Sequence, residues 1–313
     1  MRIAVFGAGS VGGYFGGRLA QAGEDVVFIA RGEHLNALLK SGLRVDSING
    51  NVVVPSVQAT DDPSTIGTVD MVLVGVKAWQ VSEAAEAIRP MIGPETAVLP
   101  LQNGLEAPAR LSEVFGDQHV LGGLCGLFCY VAGPGHIVHA GSDPFVKFGE
   151  LDNHRSHRVE RLLDTFTRAG VNAEIPPDIL VAMWMKFIAI TVWSGLGAVT
   201  RAPAGIWRSL PETRRMAEQS LGEIIAVAAA HGVALPENAL ETTMAIYDGL
   251  VPQSTASLQR DMMQGRPSEL EAQIGAVVRF GQEAGVATPW HTFIYNSLLP
   301  MELRARGELQ FDV

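Results

Sequence analysis

The chain has 313 residues, 47% of them hydrophobic and 18% charged, with a formal net charge of -10. That length exceeds one small core and points to two domains. An acidic chain without clusters of lysine and arginine argues against nucleic acid as a partner, while a small anionic ligand needs only a few local cations.

The N-terminus runs directly into a strand, "RIAVF", with no leader pattern, so the cytoplasm is the expected compartment. Gly7, Gly9 and Gly12 then spell GxGxxG, a helix follows over Ser10–Ala22 with Gly23 as its stop, and "DVVFIAR" reads as a second strand. In that setting each glycine has a task. Gly7 makes the tight turn, Gly9 lets the backbone approach a pyrophosphate, and Gly12 lets helix and strand pack closely. The backbone of Gly7, Ala8, Gly9, Ser10, Val11 and Gly12 thus becomes a phosphate cradle on a helix N-terminus. Arg31 lies nineteen residues after Gly12, where NAD enzymes place an acid for the ribose hydroxyls. A guanidinium there suits a 2′-phosphate and favours NADP. Glu33 keeps NAD in play, and an ordinary exposed arginine is the plainer reading.

"GLRVDSINGNVVV" predicts a hairpin turning at Asn49–Gly50. "VDMVLVGVKAWQ" predicts a buried strand ending at Lys77, "QVSEAAEAIRPMI" a helix, and "TAVLPLQNG" a strand ending at Asn103. Ligands of open α/β sheets sit beyond the carboxyl ends of the strands, so the glycine loop, Arg31, Lys77 and Asn103 are candidates to line one crevice. A solvated lysine and a turn asparagine remain alternatives. Cys125 and Cys129 are spaced CxxxC, unlike the CxxC of redox and zinc sites, and read as buried thiols. His136 and His139 fall in an expected strand, His154 and His157 at a polar helix start, and no metal site is expected.

The texture changes after Gly170. "VNAEIPPD" reads as a hinge, which places a dinucleotide-binding domain over 1–175 and a helical domain over 176–313. Helices are expected over Asp178–Val192, Pro211–His231, Pro236–Gly249, Ser268–Gly285 and Pro289–Arg306. The apolar run around "WMKFIAITVWSGLGAV" is long enough for a membrane span. Lys186 inside it, the "SGLG" interruption and the lack of a second span favour a buried helix of a helical domain. Lys186 then either snorkels to water or serves as a desolvated general acid. Ser268 and Glu271 fit a capping box, which leaves Glu269 on another face for a cofactor, a substrate or Lys186. Ser257, twelve residues earlier, is a candidate hydroxyl donor or a local cap.

The pieces "GAGSVGG", "ARGEHL", "VKAWQV", "LQNGLE", "WMKF" and "SLQRDMMQGRPSELE" together resemble the ketopantoate reductase (2-dehydropantoate 2-reductase) family over nearly the whole chain. The resemblance implies an α/β Rossmann-type domain followed by an all-α domain, NADPH as hydride donor, and reduction of a 2-oxo acid to a 2-hydroxy acid, as in ketopantoate to pantoate in pantothenate biosynthesis. It implies that Lys186 donates the proton and that Glu269 helps hold cofactor and lysine. It also implies that Lys77 and Asn103 contact cofactor and substrate, and that Ser257 binds substrate.

The chain departs from the pattern where the family carries asparagines, which here are Ile190, Ser194, Ala204 and Ile274. The resemblance implies that Ile190 and Ser194, one and two turns beyond Lys186, stand at substrate-contact positions. A site discriminates strongly through such hydrogen bonds, so a related reductase of a less polar carbonyl compound is an alternative. A non-catalytic NADP-binding sensor is a third reading, opposed by the retention of Lys186, Glu269 and Ser257 together. The partner expected is a small molecule, without nucleic acid or membrane, and a homodimer through the apolar C-terminal helices is compatible with the sequence.

Overall fold

The computed structural model describes residues 1–312. The chain divides into two compact units. One comprises Met1–Gln102 and Glu106–Ala182, the other Asn103–Leu105 and the chain from Met183 onward.

The first unit opens with β1 (Arg2–Phe6), α1 (Ser10–Gln21), β2 (Asp25–Ile29), α2 (Gly32–Ser41), β3 (Leu43–Ser47), β4 (Val52–Val54) and β5 (Gln58–Thr60). It continues with β6 (Met71–Val74), α3 (Val81–Ile88), β7 (Ala97–Pro100), α4 (Ala107–Phe115), β8 (Leu121–Gly126), β9 (Cys129–Gly133), β10 (His136–His139), β11 (Phe145–Glu150), α5 (His157–Arg168) and β12 (Asn172–Glu174). The central sheet is parallel with the order β5-β2-β1-β6-β7. Strands β2, β1, β6 and β7 are apolar on both faces because helices cover both, while the edge strand β5 is short and partly exposed. Ile3 and Val5 of β1 pack in one cluster with Phe15 and Leu19 of α1 and Phe166 of α5. Ala4 and Phe6 point into another with Val81, Ala85 and Ile88 of α3 and Leu111 of α4. Strand order reverses between β1 and β6, the switch point at which such sheets take ligands.

Two smaller sheets complete the unit, β4-β3-β10-β9 and β12-β11-β8. β3 and β4 are the expected hairpin, with Gly50 at φ +93° in its turn. Cys125 is buried on β8 and Cys129 is half-buried on β9, and they are not bonded to each other.

The second unit is helical. It holds most of α6 (Ile179–Thr200), then α7 (Ala204–Trp207), α8 (Pro211–Ala230), α9 (Ala239–Gly249), α10 (Ser257–Met263), α11 (Ala276–Ala284) and α12 (Pro289–Ala305). The expected hinge at residue 175 and the division inside α6 differ because the first turn of α6 belongs with the first unit. Asn153 Oδ1 there accepts from Ile179 N at 2.9 Å. A Cβ on Gly149 would lie 3.5 Å from Ile179 Cβ, so the two backbones are close.

α6 also runs to Thr200 rather than stopping near Val192. Its interior glycines cost about 1 kcal/mol each in helix propensity, and close packing overrides that cost. A Cβ on Gly195 would sit 3.2 Å from Ile294 and 3.5 Å from Ile274, and one on Gly197 would sit 2.5 Å from the Gln259 amide oxygen. α6 is long and apolar enough to cross a membrane, with mean hydropathy 1.8, but 61% of that apolar window is buried within the protein. The single helix expected over Ser268–Gly285 is instead a π-helical turn at Glu271–Gly275 leading into α11. α9 starts at Ala239, three residues after Pro236, and α10 is an element the periodicity did not reveal.

Candidate active site

In the first unit the glycine loop connects β1 to α1 beside the switch point. Gly7 has φ +94°, and a side chain there would meet Val76 N at 2.9 Å. A Cβ on Gly12 would lie 2.2 Å from Gly7 O and 2.8 Å from Val5 Cγ1. Gly9, the N-cap of α1, has nothing within 4 Å of that position, so its surface is open to a ligand. The amides of Gly7 and Ala8 both donate to Ile29 O at 3.2 Å, which pins the loop to β2. The first turn of α1 holds no acidic residue, and its N–H groups lack intrahelical partners. This arrangement fits a dinucleotide pyrophosphate.

The sequence reading missed Gly75. It follows β6 directly, donates to Phe6 O at 2.8 Å, and leaves room that a Cβ would fill 2.9 Å from Gly7 O and 3.0 Å from Gly12 N. Its signal was a glycine just past the strand at the switch point. Gln102 was also missed. It is buried and donates to Val74 O at 2.8 Å and Val76 O at 3.0 Å, bracing the chain that leads to Lys77. Lys77 is half-buried at the N-cap of a short 3₁₀ turn, Ala78–Gln80, with Nζ 5.8 Å from the Trp79 ring centroid.

Arg31 is the N-cap of α2 and is well exposed. Its Nη2 donates to Glu83 Oε1 at 3.2 Å. Glu33 sits in the first turn of α2, also exposed. His34 is half-buried; burial holds its imidazole below the ordinary value, against the opposing hydrogen bond of the Ala8 backbone.

In the second unit Asn103 and Glu269 meet although 166 residues separate them: Asn103 Nδ2 donates to Glu269 Oε2 at 3.2 Å. Gly104, at φ +108°, makes the approach possible, since a Cβ would stand 2.7 Å from Ala272 O. The Asn-Gly pair is therefore a docking contact rather than a free turn.

Ser268 and Glu271 do not form the expected capping box. Ser268 Oγ accepts from Leu270 N at 3.2 Å and donates to Glu302 Oε2 at 2.6 Å, while Glu271 binds Arg279 at 2.9 Å and the Tyr295 hydroxyl. The buried carboxylate of Glu302 also accepts from Ser268 N at 3.1 Å and from Arg306 Nε at 2.7 Å. A tertiary clamp from α12 thus replaces the local cap immediately before Glu269.

Lys186 is half-buried on α6, and Nζ makes no hydrogen bond or ion pair with any described residue. Ile190, four residues on, is half-buried as well. Ser194 is fully buried, and its hydroxyl, like that of Thr191 and the amide of Gln273, has no hydrogen-bond partner among the described residues. The fully buried Tyr247 donates to Ala189 O at 2.9 Å, between Lys186 and Ile190 in the chain. Ser257 is the first residue of α10, half-buried, and its side chain does not cap that helix. Ala204 is buried at the start of α7. Among the described residues no cluster of three or more His, Cys, Asp or Glu could hold a metal.

Comparison with known sequences decides the family. The pattern described as Ketopantoate reductase PanE/ApbA matches residues 3–153, and its C-terminal counterpart matches residues 178–302. The chain belongs to the ketopantoate reductase family. A 2-dehydropantoate 2-reductase of Nostoc sp. is 30% identical over 317 residues, covering 99% of this chain and 98% of that protein. The crystal structure of 2-dehydropantoate 2-reductase from Geobacter metallireducens superposes with a TM-score of 0.90 at 32% identity, covering 96% of this chain and 99% of that one. D-mandelate dehydrogenase, in a ternary structure with NADH and anilino(oxo)acetate, shares the fold with a TM-score of 0.90 at 22% identity, covering 98% and 100%. The protein is accordingly a nicotinamide-dependent oxidoreductase acting on a CH–OH group, as the ketopantoate reductase family is, with a Rossmann-type unit followed by a helical one.

Proposed function

We propose that this ketopantoate reductase family member reduces a 2-oxo acid to the 2-hydroxy acid with NADPH, and that ketopantoate is the reference substrate. The observation that carries the reading is Lys186, a half-buried ammonium with no partner among the described residues. Such a group has its N–H donors available to a carbonyl oxygen. Bound NADPH supplies the hydride to the carbonyl carbon. Lys186 gives its proton to the oxygen as charge develops there, and water returns a proton to the neutral amine. Asn103 and Glu269, held together at 3.2 Å, orient one another, so that Asn103 presents its amide with a fixed face. Gly7–Gly12 hold the pyrophosphate, and Arg31 takes the 2′-phosphate. Lys77 contributes cation charge to cofactor or substrate, and Ser257 offers a hydroxyl to the substrate.

A second reading of the substrate rests on Ile190. A half-buried isoleucine one turn from the proton donor presents apolar surface to whatever occupies that side of α6, and this favours a 2-oxo acid less polar than ketopantoate. Ser194, with its unpartnered hydroxyl, is the polar group left on that side. The test is NADPH consumption with a panel containing ketopantoate, pyruvate and phenylglyoxylate. Turnover of ketopantoate with the highest kcat/KM supports the first reading, and preference for phenylglyoxylate supports the second. Tight NADPH binding with no turnover of any 2-oxo acid would contradict both and make the protein a cofactor-binding sensor.

A further inference from the structure

Arg31 already has an anion beside it. Glu83 lies in the first turn of α3, 52 residues further along the chain, and its carboxylate accepts from Arg31 Nη2 at 3.2 Å. The pairing follows from the sheet order: β2, which leads to Arg31, and β6, which leads to α3, flank β1. Glu86, one turn on, is bound within its own helix end to Arg89 at 2.6 Å, so Glu83 is the α3 carboxylate bonded to Arg31. Both members of the pair are about two-thirds exposed, 69% for Arg31 and 66% for Glu83. An ion pair that exposed is weak and opens readily.

We propose that Glu83 is a cofactor-selectivity residue that works against Arg31. The proposal rests on the reading of Arg31 as the 2′-phosphate partner. A 2′-phosphate brings about two negative charges and seeks the same guanidinium face that Glu83 occupies. It must displace the carboxylate and then lie beside it, and like charges at that range repel. A ribose with a free 2′-hydroxyl meets the opposite situation, because a carboxylate accepts a hydrogen bond from it. The pair therefore narrows the preference for NADPH over NADH that Arg31 alone would give. Glu33, in the first turn of α2, is the other carboxylate close in the chain and is not the partner of Arg31, so Glu33→Gln measures its separate contribution to the preference and is compared with Glu83→Gln.

The experiment is equilibrium binding of NADPH and of NADH, by calorimetry, to the full-length protein and to Glu83→Gln, Glu83→Asp, Glu33→Gln and Arg31→Ala. Glu83→Gln keeps the size and removes the charge. It should tighten NADPH roughly two- to fivefold, the range expected for one exposed charge, weaken NADH, and lose its effect on NADPH in high salt. Glu83→Asp should keep the native ratio of the two affinities. An unchanged ratio in Glu83→Gln, or weaker NADPH binding, overturns the proposal; the second result would mean that Glu83 holds Arg31 in place for the phosphate. Arg31→Ala separates the two claims. If it leaves the ratio unaltered, the 2′-phosphate role of Arg31 fails, while a shift in Glu83→Gln still stands as repulsion of the phosphate.

Discussion

At the scale of single residues, the side chains near Lys186 are, on the proposed function, the ones that set which 2-oxo acid is accepted. Ile190 offers no side-chain hydrogen bond one turn from Lys186, and on this proposal that is expressed in substrate choice rather than in proton delivery. Ile190→Asn should raise kcat/KM for ketopantoate about tenfold relative to phenylglyoxylate, the worth of one hydrogen bond of about 1 to 1.5 kcal/mol. Steady-state kinetics on both substrates checks this, and a parallel change for the two would detach Ile190 from selection. Arg31→Ala should weaken NADPH about tenfold, the low end for a charge-assisted contact at an exposed site, and hardly alter NADH. The glycine loop was legible in the sequence because its geometry is local: a strand, a glycine turn and a helix start are contiguous. Glu83, Gly75, Gln102 and Glu302 were not legible, because each acts on a partner that the fold brings from elsewhere.

The elements show where local signals mislead. The S-x-x-E pattern at Ser268–Glu271 predicts a self-capped helix, yet its members bond to α12 and α11 instead. Glu302 is 2% exposed, so deleting it leaves Arg306 and the Ser268 groups without their shared acceptor. Glu302→Ala should cost about 3 kcal/mol of stability, as breaking a buried pair does. Calorimetric melting tests this, and a loss below 1 kcal/mol would mean that the clamp is dispensable. The glycines of α6 read as helix breakers and are contact points. Gly197→Val places a side chain where the buried Gln259 lies, and Gln259 is itself tied to Ala202 O at 3.1 Å. That overpacking should cost about 1 to 3 kcal/mol.

On the scale of the whole molecule, the residues to which the proposal gives chemistry fall in both units. The glycine loop, Arg31 and Lys77 belong to the first, and Asn103, Lys186, Ser257 and Glu269 to the second. The two-domain organisation was readable from length and from the change of texture after Gly170. The boundary was not, because α6 runs through it and the Asn103–Leu105 loop joins the second unit by contact rather than by sequence. Stability should respond to pH through His34. Its folded pKa lies below the unfolded value of 6.5, so the unfolded chain binds more protons between the two values. Stability from this group is therefore fully present above pH 6.5 and is lost as pH falls from there through the depressed folded value. His34→Gln should flatten that part of a melting-temperature profile.

The central claim is that Lys186 donates the proton in an NADPH-dependent reduction. The most direct measurement is single-turnover hydride transfer from bound NADPH in Lys186→Ala, together with the NADPH dissociation constant of the same variant. The account predicts a rate lower by roughly a hundred- to ten-thousandfold, the scale of general acid catalysis, with cofactor affinity nearly unchanged. A rate within a few-fold of the native enzyme would contradict it.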